Sequence, residues 1–407
     1  MRSRLVIVHR YFGLVLAGFL LLAGATGSLL AWYEELDATV NPALLRAAPP
    51  APGARPLDPL QLRAAVAAHY PDARVDFVPL MHVPGHAPYF QLSPKPGTRL
   101  ADDQVFVNPY DGTILGARRW GDIGQGMTNL LPFIYRLHFS LAMDTVGPLL
   151  LGVVALIWTV DCFIGAYLTF PVRRRGTPPA AGKTWLSRWW PAWKVRWTSG
   201  SYKLNFDLHR AGGLWPWAML FILAWSSVGF NLTEVYQPVM RTLFAHQLAE
   251  DAMPRRTAPQ AQPGMSWEAA RETGRRLMQS EARARGASVV EETLLRYDAR
   301  SATFRYMVKS SADIRDRIGS TSVVFDANTG QPYFFWWPTG AASGDTIRTW
   351  LTSLHLAALW GVPFKIFMCL LGLAVAMLSA TGIVIWWRKR AARGAVSSAG
   401  YRRFAGS

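Results

Sequence analysis

Among the eight histidines, four stand in two pairs related by an internal repeat. His9-Arg10-x-x-Gly13 recurs as His209-Arg210-x-x-Gly213, an offset of 200. Leu137-His138 recurs as Leu354-His355, an offset of 217 that also relates Gly165 to Gly382. The repeat makes His9 with His209, and His138 with His355, natural facing pairs. Two imidazoles on facing helices are what a haem iron with two axial ligands requires. Two haems b, one near each end of a helix bundle, would form a ladder for electrons across a membrane. The plainer reading is that a histidine near a helix end caps it or sits at an interface. Duplication copies a structural histidine as faithfully as a ligand.

Basic residues accompany these histidines. Arg10 and Arg210 follow the inner pair directly, and Arg136 lies two residues before His138. Guanidinium groups there suit carboxylates such as haem propionates. Arg10 and Arg210 equally suit a plain anchoring role on the basic side of a membrane. Asp161 is the one acid within an apolar stretch. Such a residue defaults to function, either as a proton relay or as the partner of a nearby Trp or Thr donor. His69, His82, His86 and His246 have no partners in the repeat. Pro84 and Gly85 between His82 and His86 argue for a loop. Cys162 and Cys369 both sit in apolar runs and form no Cys-x-x-Cys motif. A Gly-x-Gly-x-x-Gly turn after a strand is also missing, and no catalytic residue is assigned.

The elements that must position the histidines are apolar. The 407 residues are 51% hydrophobic and 17% charged, with 18 Trp, a composition suited to a membrane protein with aromatic belts. Four stretches are long enough to span hydrocarbon, which takes about 20 residues: 5–33, 146–170, 214–232 and 364–387. The first has a basic start and small residues near its end, like a secretory leader. Its length favours a retained helix. Residues 1–10, 171–210 and 388–407 carry 3, 9 and 6 Lys and Arg, with Asp207 their only acid. The other connecting regions are nearly neutral: 34–145 holds 9 bases and 11 acids, and 231–362 holds 15 and 13. The net charge of +17 therefore falls on one side. By the positive-inside rule both termini are cytoplasmic, facing anionic lipid. This placement argues against nucleic acid as a partner. Trp185, Trp189, Trp190, Trp193 and Trp197 alternate with Arg188, Lys194 and Arg196, as in a segment lying on a lipid surface.

Between the spans, residues 46–59 form an Ala/Pro-rich linker. A helix is expected at 60–70, strands at 75–79, 89–92 and 104–107, and a turn at 108–112. The second region repeats the plan, with a helix at 267–285, strands at 292–297, 303–308, 321–325 and 331–337, and a turn at 326–330. The expected fold is thus an α-helical membrane protein with four transmembrane helices, internally duplicated, plus two small α+β domains. Its segments are 1–35 (first span), 36–128 (first outer domain), 129–171 (His-bearing helix and second span) and 172–206 (basic Trp-rich segment). They continue with 207–235 (third span), 236–345 (second outer domain), 346–388 (His-bearing helix and fourth span) and 389–407 (basic tail).

This pattern resembles the PepSY-associated transmembrane proteins of bacterial inner membranes, from about residue 4 to residue 390. The resemblance rests on His-Arg-x-x-Gly at 9–13, Glu34-Glu35-Leu36, Leu137-His138-Phe139 and the turns at 108–112 and 326–330. It implies that the outer domains are periplasmic PepSY domains. It also implies that the chain is similar to ferric-siderophore reductases carrying two b-type haems, with oxidoreductase activity in iron uptake. His9, His209, His138 and His355 would then be axial ligands, and a ferric siderophore the periplasmic partner. Some relatives carry a fused flavodoxin- or ferredoxin-reductase-like domain, which this chain lacks. The donor is left as a quinol or a cytoplasmic reductase. Phe334, Phe335, Trp336 and Trp337 suit either a docking surface or a membrane-facing strand. Two rival functions remain: a membrane-anchored PepSY regulator or peptidase inhibitor without redox activity, and a metal transporter. Against the transporter, no pair of Gly- or Pro-broken spans is evident.

Overall fold

A computed structural model describes residues 1–172, 184–247, 253 and 256–404, with side chains described to residue 392. The chain divides into two compact units, each made of separate stretches. The helical unit comprises Met1–Ala31, Arg136–Gln237 and Val362–Ser407; the sheet unit comprises Trp32–Tyr135 and Pro238–Gly361.

Among the described residues three helices are long and apolar enough to cross a membrane: Arg2–Leu30, Val146–Thr169 and the apolar part of the last helix, Gly361–Ala392. A fourth span exists only if Ser201–Leu214 and Trp217–Asn231, bent by 67° at their junction, are taken as one. The span expected at 214–232 corresponds to the second arm of this bent pair, Trp217–Asn231. Pro216 sits at the break; its ring removes a backbone donor and clashes with the preceding turn. The corresponding helix of the first repeat runs unbroken from Arg2 to Leu30. The broken pair typical of an inverted-repeat transport path is therefore not formed. Small residues bring the helices close. A Cβ added at Gly24 would lie 2.5 Å from the Gly372 carbonyl oxygen, and one at Gly152 would meet Leu232 at 2.9 Å. The Ser28 hydroxyl donates to the Cys369 carbonyl at 2.9 Å. Such close backbone approach is how helices associate where lipid is as apolar as leucine. The cysteines are free thiols.

The basic Trp-rich segment lies in part at 173–183, outside the described residues. Its described portion forms a short helix, Trp185–Trp189, and a tight turn, Trp190–Trp193. The Trp189 indole donates to Thr169, and the Trp215 indole to the Trp193 carbonyl. Trp185, Trp190 and Trp197 stay exposed.

The sheet unit departs from expectation in how its two halves are joined and in a fourth strand, Ile114–Arg118, in the first half. The two outer regions are not two small domains; they share one antiparallel eight-stranded sheet and one core. The strands are β1 (Ala73–Pro79), β2 (Tyr89–Pro94), β3 (Gln104–Val107), β4 (Ile114–Arg118), β5 (Val289–Asp298), β6 (Thr303–Ser310), β7 (Thr321–Asp326) and β8 (Pro332–Trp336), in the order β4-β3-β2-β1-β5-β6-β7-β8. Each half is a helix followed by a four-strand meander, and the halves join where β1 meets β5, with Val78 opposite Leu295. Alone, each meander would leave its first strand as a bare edge with unpaired amides and carbonyls. Pairing the two edges satisfies both and merges the apolar faces. Val78, Phe90, Leu295, Phe304 and Phe325 lie in the single core.

Local elements follow their sequence signals. Asp58 caps the helix Pro59–His69 by accepting from Leu60 N–H, and Ser266 caps Trp267–Ala284 by accepting from Ala269 N–H. At the two hairpin turns the Asn108 and Asp326 side chains accept backbone N–H groups two residues on. Gly112 and Gly330 complete these turns at φ +77° and +75°, a conformation that favours glycine. Phe334 and Trp337 are buried, and Trp337 belongs to the core. They are therefore neither a docking surface nor a membrane-facing strand.

An ionic cluster ties the second helix to the sheet. Arg271 and Arg275 both donate to Glu292 on β5, as does the Tyr306 hydroxyl, and Arg271 also reaches Asp58. Burial raises the Glu292 pKa, but the Arg271, Tyr306 and Arg275 contacts outweigh it and leave the carboxyl below its ordinary value. A depressed acid stabilises the fold fully above its unfolded pKa, about 4.3, and that contribution is lost as pH falls through the folded value. Glu292→Gln is therefore expected to lower stability at pH 7 and to flatten its dependence between about pH 4.5 and the folded pKa. Thermal unfolding across that range checks this.

Candidate haem-binding site

The helical unit brings His9 and His209 together. Their ring centroids are 6.2 Å apart at an interplanar angle of 56°. Two imidazole nitrogens on opposite sides of one metal, each about 2 Å from it, put the ring centres about 6 Å apart. His9 projects from the unbroken Arg2–Leu30 helix, and His209 from the Ser201–Leu214 arm before the bend. The bend at Pro216 thus sets the angle at which His209 is presented.

Each ring is fixed on two sides. His9 Nδ1 lies 2.9 and 3.0 Å from the Asp161 carboxylate oxygens. His209 Nδ1 lies 3.1 Å from both the Leu378 carbonyl and the Thr381 hydroxyl. Among the described residues neither Nε2 makes a hydrogen bond. Behind the rings stand glycines. A Cβ at Gly165 would meet His9 Cε1 at 3.4 Å, and one at Gly382 would meet His209 Cε1 at 3.2 Å. A hydrogen bond at Nδ1 orients an imidazole and leaves Nε2 to face a metal.

Both histidines line a cavity of about 390 Å³, within the usual range for small-molecule and cofactor sites. Its walls are largely apolar, including Leu14, Leu20 and Trp158. Arg10, Arg210 and Lys389 also line it. Arg210 donates through one terminal nitrogen to Asp207 and to the Pro191 carbonyl. Asp207 is itself fully buried and held by Arg196 at 2.6 and 2.9 Å. Arg210 Nε is buried without a partner. An unsatisfied guanidinium N–H beside the cavity is a ready donor for an anionic group such as a propionate. The residues present therefore fit a haem.

The outer histidines fall in different units. His138 is in the helical unit, where its Nδ1 lies 2.9 Å from the Thr26 hydroxyl and its Cε1 would be 3.1 Å from a Cβ at Gly27. It thus has the same backing as the inner pair. The turn after it is tight. Leu141 and Ala142 have positive φ, and a Cβ at Gly147 would clash with the Ser140 carbonyl. His355 ends the helix Ser343–His355 of the sheet unit. Arg136, proposed from sequence for a propionate, pairs with the exposed Asp144. His82 and His86 lie in a loop, His86 bridging to Arg46. His246 pairs with Asp345 at 2.8 Å.

Asp161 has neither of the partners the sequence suggested; it holds His9. The signal was its spacing, since Asp161 and Gly165 are four apart and share a helix face, and both face His9. The offset of 217 carries them to Leu378 and Gly382, which serve His209. Thr26, Gly27 and Thr381 also passed unnoticed, because small residues in a span carry no pattern of their own, and Lys389 was counted only as part of the basic tail.

The glycine backing yields a test. Gly382→Val places carbon against the His209 ring. Overpacking of this kind costs about 1–3 kcal/mol, so haem affinity should fall by roughly tenfold or more with the helical content unchanged. Haem titration of purified apoprotein, with circular dichroism as control, measures both.

No curated protein matches the chain. Residues 6–389, nearly its full length, match the family described as PepSY-associated TM region. With three to four apolar helices around paired histidines, the protein is a multi-pass membrane member of the PepSY-associated TM region family.

Proposed function

We propose that this chain is a haem-carrying reductase that passes electrons across the bacterial inner membrane to a ferric siderophore in the periplasm. The observation that carries the reading is the His9–His209 arrangement: two rings 6.2 Å apart, each tied at Nδ1 and backed by glycine. Haem bound there supplies a one-electron carrier. The protein's residues hold and shield it. Asp161, Leu378 and Thr381 fix the ring orientations, Arg210 and the nearby bases balance anionic charge, and the apolar walls exclude water. The second haem of the ladder rests on the sequence repeat that relates His138 to His355. Cytoplasmic termini and a periplasmic sheet unit rest on the one-sided charge, and the donor is a quinol or a cytoplasmic reductase.

The acceptor follows from coordination chemistry. Siderophore oxygens hold hard Fe(III) tightly and Fe(II) far less well. One electron delivered to the bound ferric ion therefore releases iron as Fe(II). A PepSY regulator without redox activity leaves the inner histidine arrangement without a role. A transporter would need converging metal ligands. Among the described residues no group of three or more His, Cys, Asp or Glu side chains comes together.

The test is a dithionite-reduced minus oxidised spectrum of purified protein from haem-replete cells, with haem-to-protein stoichiometry. Two b-type haems, reoxidised by a ferric siderophore with release of Fe(II), support the proposal. Haem-free protein rejects it.

A further inference from the structure

We infer that Asp161 is a positioning residue that makes the two inner imidazoles chemically unequal and lowers the reduction potential of a haem held between them. The inference rests on the haem reading above and goes beyond ligand identity to what tunes the site. The two histidines are repeats of one another, and so are their glycine supports, Gly165 and Gly382. The difference lies at Nδ1. His9 faces both oxygens of a carboxylate, at 2.9 and 3.0 Å. The corresponding position in the second repeat is Leu378, whose backbone carbonyl, with the Thr381 hydroxyl, faces His209 Nδ1 at 3.1 Å. One ring thus has an anionic acceptor and the other only neutral ones.

Packing does not account for Asp161. Its side chain is about nine-tenths buried within a span, where an apolar residue would pack without desolvation cost. Among the described residues its hydrogen-bond partner is His9. Both oxygens converge on that single nitrogen, so the carboxylate is directed at the ring rather than at a backbone donor or a helix end. A carboxylate accepting Nδ1–H pulls the proton toward itself and raises electron density at Nε2, making the imidazole a stronger donor to a metal. A stronger donor stabilises the oxidised, more highly charged iron over the reduced one, and hydrogen bonding behind an axial ligand is one of the protein's levers on haem potential. A neutral carbonyl and hydroxyl do this less. The asymmetry therefore comes from His9, and Asp161 is its source.

The experiment is a potentiometric titration of the haem-loaded full chain, followed by absorbance, for wild type, Asp161→Asn and Thr381→Val. Asn keeps the size of the side chain and an acceptor oxygen but removes the charge. The expected result for Asp161→Asn is a rise in the midpoint of one haem by at least a tenfold change in the reduced-to-oxidised ratio, about 59 mV for one electron. Thr381→Val, which leaves the Leu378 carbonyl in place, should change that ratio less than threefold. Haem-loaded Asp161→Asn with the wild-type midpoint overturns this inference and leaves the haem reading standing. Wild-type protein that takes up no haem overturns both. Should Asp161→Asn fail to retain haem, Asp161→Glu decides: restored binding with a low midpoint upholds the role of the charge, and a variant as defective as Asn rejects it.

Discussion

Replacing His209 with alanine is expected to remove one haem per chain, and replacing His9 to remove the same one. The two side chains come from stretches 200 residues apart and converge on one cavity. Neither can compensate for the other, since no further histidine lines that space. The effect should be complete at that site: loss of a six-coordinate low-spin spectrum, or at most a five-coordinate remnant that binds carbon monoxide in the reduced state. His355→Ala should remove the other haem, which separates the two sites. His82→Ala, in a loop, should change neither. Haem stoichiometry and reduced-minus-oxidised spectra of the four variants give the answer. If His9→Ala and His209→Ala keep the full haem complement, the inner pair is structural and the proposed electron path loses its entry point.

How much of this was legible in sequence depends on how local each feature is. The strand at 104–107, the helices beginning near residues 60 and 267, and both hairpin turns appear within a residue or two of expectation, because alternation, caps and Asx turns act over short distances. The pairing of β1 with β5 was not legible. Nothing in residues 73–79 announces a partner more than 200 residues away, and a four-strand meander reads the same whether its edge is bare or shared. The break at Pro216 had a visible cause, but hydropathy averages across it. At the site, the repeat located His9 and His209 because a duplicated ionisable residue stands out in an apolar stretch. It could not distinguish the carboxylate behind one ring from the carbonyl behind the other. That contrast is between a side chain and a backbone group, and composition does not record it.

In the sheet unit, Arg118→Met should be the most costly single change outside the haem site, because it strands a buried charge. Asp37 is 2% exposed and Arg118 3%. The guanidinium meets both Asp37 oxygens, at 3.3 and 3.0 Å, and also reaches Gln104 and the Thr128 carbonyl. It lies over the Phe106 ring at 5.0 Å. Methionine would fill much of the same space but leave Asp37 with Asn41 as its remaining side-chain donor, at 2.7 Å. Breaking a buried pair by removing one partner costs about 3–5 kcal/mol, whereas replacing both partners with apolar groups is often neutral. Arg118→Met should therefore lower the melting temperature of the sheet unit by about 10 °C, and adding Asp37→Leu should recover most of that loss. Thermal unfolding of wild type, single and double variants in detergent measures the difference, with haem absorbance as an independent signal from the helical unit. A cost below about 1 kcal/mol for Arg118→Met would place this pair among screened surface ion pairs. A double variant no more stable than the single would show that the polar contacts to Gln104 and Thr128, rather than the ion pair, anchor Arg118 in the sheet unit.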